Sequence, residues 1–243
     1  MGLDAPRTFA DWLDGHRHQD ANGFMYQYHS RSDAHSKELA RLIWLDLLTQ
    51  CPTMRLDHDA GIVRMEVNYR HTWSGTLKSK TIDMAIGTAG TGGGLREVRI
   101  SCELKAVMTE HQKSQPRVFD ELSSSYQIVH RADPEAIAAG VTVVNIAETF
   151  VSPLRQRPGG PLVVTRHRQP EVTRRMVQHL RGLRLRGAAG EDGFDAYCTL
   201  VVDCDNQARA RLWTAPPAPQ PGQSDHYASF VAQLCALYAE RYA

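Results

Sequence analysis

Thr81-Ile82-Asp83-Met84-Ala85-Ile86 and Val98-Arg99-Ile100-Ser101-Cys102-Glu103-Leu104-Lys105-Ala106 are two alternating runs separated by the glycine-rich stretch Thr88-Ala89-Gly90-Thr91-Gly92-Gly93-Gly94. Side chains on a strand point to opposite faces in turn, so Ile100, Cys102, Leu104 and Ala106 make one apolar row while Arg99, Ser101, Glu103 and Lys105 make the other. Asp83 stands likewise opposite Ile82, Met84 and Ile86. If the two strands pair with their apolar rows on one side, Asp83, Glu103 and Lys105 converge on one polar face. The glycines lack the Gly-Lys-Ser/Thr ending of a phosphate loop and precede a strand, so they read as a hairpin loop.

Working outward, Ser32 or Asp33 caps a helix that runs through Leu39, Leu42, Ile43, Leu45 and Leu48 and ends at Cys51-Pro52. Val63, Met65, Val67 and Tyr69 alternate with Arg64, Glu66 and Asn68, which predicts a half-buried strand. Residues 70–80 read as a polar connection containing Trp73, Gly75, Lys78 and Lys80. Beyond Lys105 a helix is expected to open at Ser114-Gln115-Pro116 and to bury Val118, Phe119, Leu122, Tyr126 and Val129. The β-branched run at residues 141–147 follows as a strand covered on both faces. Strand, helix, strand in that order predicts a crossover that lays this strand parallel to the Glu103 strand.

An Asp on one strand, Glu-Leu-Lys on the next and helices on either side resemble the PD-(D/E)XK nuclease superfamily, the restriction-endonuclease-like fold. The resemblance spans residues 32–147 in the order of elements, and three residues carry the motif, Asp83, Glu103 and Lys105. Where that family often has a proline before the Asp, this chain has Ile82. The resemblance implies an α/β fold with a mixed central sheet flanked by helices. It also implies that Asp83, Glu103 and the carbonyl of Leu104 hold magnesium, or manganese as a substitute, while Lys105 orients or deprotonates the attacking water. In that superfamily a helix before the core strands often supplies a further acid, and Glu38 is the candidate; its alternative is an ion pair with Arg41 or Lys37 on an exposed face.

The 243 residues suit one domain, 42% hydrophobic and 23% charged, as in ordinary globular proteins. No apolar run approaches the roughly 20 residues of a membrane span, and residues 1–7 have no signal-peptide core, which predicts a cytosolic protein. Cys51, Cys102, Cys198, Cys204 and Cys235 are scattered and odd in number, so reduced, packed thiols are expected. His16, His18 and His29 lie in a polar stretch and read as surface loop. Nine arginines lie between residues 155 and 186 against the single acid Glu171, a segment charge of +8; with +1 overall, the remainder carries −7. Such asymmetry suits a surface that meets a polyanion.

Glu171 to about Arg186 reads as a helix carrying Arg174, Arg175 and Arg181, and residues 196–202 as a strand. Lys113 and Arg117, at the entrance of the preceding helix, are candidates for holding a phosphate next to the scissile one. Residues 215–222 form a proline spacer, and a last helix over 224–241 carries an apolar stripe that must dock on this chain or on a partner. The expectation is a magnesium-dependent endonuclease acting on double-stranded DNA, a type II restriction enzyme or related bacterial defence nuclease, working as a homodimer or other homo-oligomer. A repair or recombination nuclease, or a nucleotide-activated effector, is the alternative enzyme; a DNA-binding module that does not cut is the alternative of another class.

Overall fold

The computed structural model describes residues 3–20, 23–72, 79–188 and 191–243; Trp73, Gly75 and Lys78 of the expected polar connection lie outside the described residues. The chain begins with α1 (Ala5–Gly15), the short strands β1 (His18–Gln19) and β2 (Met25–Tyr26), α2 (Ala34–Gln50) and α3 (Pro52–Asp59). Three long strands follow, β3 (Val63–Thr72), β4 (Ser79–Ala89) and β5 (Leu95–Val107), then α4 (His111–Ala132) and β6 (Ile137–Asn145). The remainder comprises β7 (Thr149–Val151), β8 (Val164–Arg166), α5 (Glu171–Leu180), β9 (Ala196–Cys204), β10 (Ala210–Leu212) and α6 (Tyr227–Tyr242).

Six of these strands form a mixed central sheet in the order β10-β9-β6-β5-β4-β3. β3, β4 and β5 make an antiparallel meander, whereas β5, β6 and β9 run parallel, joined by connections that carry α4 and α5. The expected parallel strand is present, shifted to residues 137–145, and every residue of β6 is buried, as its β-branched composition requires. Helices cover both faces. α1, α2, α3 and α6 pack with Met84, Ile86, Ile100, Cys102 and Leu104, while α4 and α5 pack with Ala85, Val98, Ala138 and Val144 on the other side.

Several boundaries depart from the sequence reading. The two ends of the 70–80 connection are strand, since β3 continues to Thr72 and β4 begins at Ser79. α4 starts at His111, so Pro116 sits inside the helix rather than at its opening. α5 stops at Leu180, short of Arg186: Gly182 follows, and its N–H turns back to the His179 carbonyl. His18 pairs with Tyr26 in a small β-ribbon instead of lying in a loop. The expectation of reduced thiols is overturned for one pair, since Cys51 and Cys235 form a disulfide joining the end of α2 to α6; Cys102, Cys198 and Cys204 are free and buried.

The C-terminal helix docks on its own chain. Tyr227, Phe230, Val231, Leu234 and Tyr238 are buried in the same core as α2 and the sheet, so the apolar stripe is already covered and is not available to join two chains. Among the described residues no helix is long and apolar enough to cross a membrane.

Candidate active site

The β4–β5 hairpin positions the site. Gly93 and Gly94 take positive φ values of 85° and 71° at its tip, which glycine adopts without a Cβ penalty. Farther in, Gly87 lies so close to the opposite strand that a Cβ there would overlap the Glu97 carbonyl. Ladder pairing then runs from Ala89↔Leu95 to Met84↔Cys102. Beyond that pair the ladder ends, and the Asp83 side chain enters the gap, its Oδ2 accepting the Leu104 N–H at 2.8 Å. N–H and C=O of one strand residue point to the same side, so the Leu104 carbonyl also faces this gap.

Strict alternation puts Ile82, Met84 and Ile86 in one row, and the structure corrects this. Met84 and Ile86 pack on the α2 side, while Ile82 packs on the α4 side with Ala85 and Leu122. The break in alternation coincides with Asn68, which lies across from Asp83 between the pairs Val67↔Met84 and Tyr69↔Ile82 and has φ 49°. This local irregularity turns Asp83 sideways between the strands and brings Lys80, three residues earlier, onto the α4 face.

Glu103, only 9% exposed at its side chain, is the centre of the cluster. Its Oε1 lies 2.7 Å from Lys105 Nζ and its Oε2 lies 2.9 Å from Lys80 Nζ. The Ser125 hydroxyl of α4 donates to Oε2 at 3.2 Å and accepts from Lys80 at 2.6 Å. Glu121, one turn before Ser125, approaches Lys105 at 3.4 Å and Arg117 at 3.7 Å. By sequence Lys80 belongs to a connection; strict alternation places it opposite Asp83, and only the break at Asn68 reveals it.

Burial and the neighbouring Glu103 push the Asp83 carboxyl up to about 6, against the pull of the Leu104 N–H and the two lysines. Burial also opposes ionisation of Glu103, but Lys80 and Lys105 outweigh it and hold its carboxyl below the usual range. For Lys105 burial works to lower the amine's pKa, yet Glu103, Asp83 and Glu121 together hold it above its ordinary value. At neutral pH the cluster therefore holds ionised Glu103 and protonated Lys105. Two carboxylates and a main-chain carbonyl form an all-oxygen donor set, and Asp83 Oδ1 makes no hydrogen bond among the described residues. That set fits a hard cation. No group of three His, Cys, Asp or Glu side chains among the described residues is placed to hold a metal.

Glu38 does not join this cluster. It forms a two-pronged pair with Arg41, at 2.9 Å to Nε and 2.6 Å to a terminal nitrogen, the alternative that the helical spacing allowed. A cleft of about 410 Å³ opens beyond Lys105, lined by Ala106, Thr109, Arg117, Tyr28, Phe150 and Arg155 among others. Lys113 and Arg117 are exposed at the start of α4, with Lys113 3.8 Å from Glu110; Lys113 shares a groove with Arg166 and Arg168. Arg174 and Arg175 are exposed and both bind Glu171, at 2.6 and 2.8 Å, while Arg181 is held by Asp225 at 2.7 Å.

Comparison with protein-family models, with curated proteins and with solved structures gave no match. The functional reading rests on the residues and their geometry.

Proposed function

We propose that this protein is a magnesium-dependent endonuclease with a restriction-endonuclease-like core that hydrolyses phosphodiester bonds in double-stranded DNA. The supporting observation is the meeting of Asp83, Glu103 and Lys105 from adjacent strands, with the Leu104 main chain turned into the gap beside Asp83. The order helix, three antiparallel strands, helix, parallel strand agrees with the resemblance read from the motif.

Asp83, Glu103 and the Leu104 carbonyl would hold Mg²⁺, with Mn²⁺ as a substitute. Bound there, the ion supplies polarisation of the phosphate and a lowered pKa for a coordinated water. Without the ion, carboxylate neighbours outweigh burial and hold the Lys105 amine above its ordinary value; beside the ion, Lys105 would orient or deprotonate the attacking water. Lys113 and Arg117 hold backbone phosphates next to the site, and Arg174, Arg175 and Arg181 extend the contact along the duplex. One such site serves one strand, so a double-strand break takes two chains, most simply a twofold homodimer. The biological role we assign is bacterial defence by restriction.

The test is cleavage of supercoiled plasmid by the purified protein in Mg²⁺, in Mn²⁺ and in EDTA, with Lys105→Ala alongside. Cutting should require the metal, and Lys105→Ala should lose at least about a hundredfold in rate while still binding DNA. Equal cutting in EDTA, or by the variant, overturns the assignment. Light scattering with and without DNA checks the dimer.

A further inference from the structure

Four charged side chains meet at the candidate site, Asp83 and Glu103 against Lys80 and Lys105, and their formal charges cancel. Both oxygens of Glu103 are already occupied, Oε1 by Lys105 and Oε2 by Lys80 together with Ser125. Oε1 keeps one lone pair open, whereas Oε2, with two donors, can meet a divalent cation only by giving up one of them. Lys105 belongs to the same strand as Glu103, two residues on, and its reach is set by β5 itself. Lys80 comes instead from the end of β4 that has parted from β5, beyond the last ladder pair Met84↔Cys102. It has a second partner in the Ser125 hydroxyl, at 2.6 Å, which can keep the ammonium hydrogen-bonded once Oε2 is released.

We infer that Lys80 is a built-in counter-ion of the site: its ammonium fills the cation position on Glu103 Oε2 and withdraws from it when a divalent cation binds. The inference rests on the metal-dependent reading above and adds a positioning residue that acts through Glu103. Lys80 adds a second ammonium beside the two carboxylates, next to Lys105, and it sets a threshold for metal entry, because a cation on Oε2 must replace an ion pair already made. A bound divalent ion beside two ammonium groups also feels their repulsion, so removing one of them favours the ion.

The charge is removed with the least disturbance by Lys80→Gln, whose amide N–H groups can still reach Glu103 and Ser125; Lys80→Met removes the polar head altogether. Titration calorimetry of the full chain with Mn²⁺, without DNA, should give a dissociation constant about tenfold tighter for Lys80→Gln than for wild type. A purely structural role gives the same or weaker Mn²⁺ binding in the variant, which overturns the inference while wild-type cleavage and Mn²⁺ binding leave the nuclease reading standing. No Mn²⁺ binding by either protein, with no cleavage by wild type, sinks both. Independently of any variant, a crystal structure of the wild-type protein with Mn²⁺ should show Lys80 Nζ beyond hydrogen-bonding distance of Glu103 Oε2. A retained contact with the ion bound overturns the inference as well.

Discussion

Asp83 carries a charge that the proposed chemistry needs and that its surroundings oppose. Its carboxyl is raised from 3.8 to about 6 by burial and by Glu103, so the folded protein holds this proton more tightly than the unfolded chain does. An ionised Asp83 therefore costs stability, a cost that grows as pH rises from 3.8 to 6 and is complete above it, on the order of 2–3 kcal/mol. Asp83→Asn keeps an acceptor for the Leu104 N–H and removes the charge. In EDTA at pH 7.5 it should melt higher than wild type, the advantage should shrink as the pH is lowered towards 4, and cleavage should be lost. A variant that melts lower than wild type at both pH values would mean that the carboxylate is structural. At this scale the sequence was informative for Glu103 and Lys105, which two-residue alternation puts on one face of β5, and for Asp83, which the adjacent strand brings beside them although alternation breaks there. It was silent on Lys80, because that residue reaches the site only through the break opposite Asn68, and a local backbone irregularity leaves no periodic trace.

Element boundaries followed the same logic. Buried stripes were legible: Val118, Leu122, Tyr126 and Val129 line the inner face of α4, and Tyr227, Phe230, Leu234 and Tyr238 that of α6. Ends were less so. Pro116, expected in the first turn, is the sixth residue of α4, where its missing N–H forfeits one helical bond while tertiary packing holds the rest. Cysteine pairing was not legible at all, since Cys51 and Cys235 lie 184 residues apart and meet only because α6 returns to pack beside α2. That cross-link closes most of the chain into one loop, and such bonds typically contribute about 2–4 kcal/mol by restricting the unfolded state. Reduction with dithiothreitol, or Cys51→Ala with Cys235→Ala, should lower the urea midpoint accordingly. Because α6 lies on the face of the sheet opposite α4, the reduced protein should keep its Mn²⁺ affinity in conditions where it stays folded. Identical unfolding curves in the two redox states would show that the bond adds nothing to stability.

Across the whole molecule, the +8 segment is less of a single surface than its composition implies. Arg186 is buried against Asp195 at 3.7 Å and donates to the Pro134 carbonyl, and Arg181 is tied to Asp225, so part of the charge is spent inside the fold. Sequence counts arginines without showing which way they point. Of those that remain outward, Arg174 and Arg175 stand on α5, which packs on the side of the sheet on which Glu103, Lys105 and Ser125 meet. Arg174 and Arg175 are both exposed there and both paired with the same Glu171, so a DNA phosphate has to compete with one carboxylate for two guanidinium groups. Glu171→Gln removes that competitor. It should tighten DNA binding irrespective of sequence and steepen the fall of log affinity with log salt, by up to about 0.9 for each additional phosphate that the freed arginines neutralise. Changing Arg174 and Arg175 to Gln should do the reverse, weakening binding and flattening the slope. Fluorescence anisotropy with a labelled duplex across a salt series measures both. Unchanged slopes in the two variants would remove α5 from the DNA-binding surface and leave the groove of Lys113, Arg166 and Arg168 as the phosphate track.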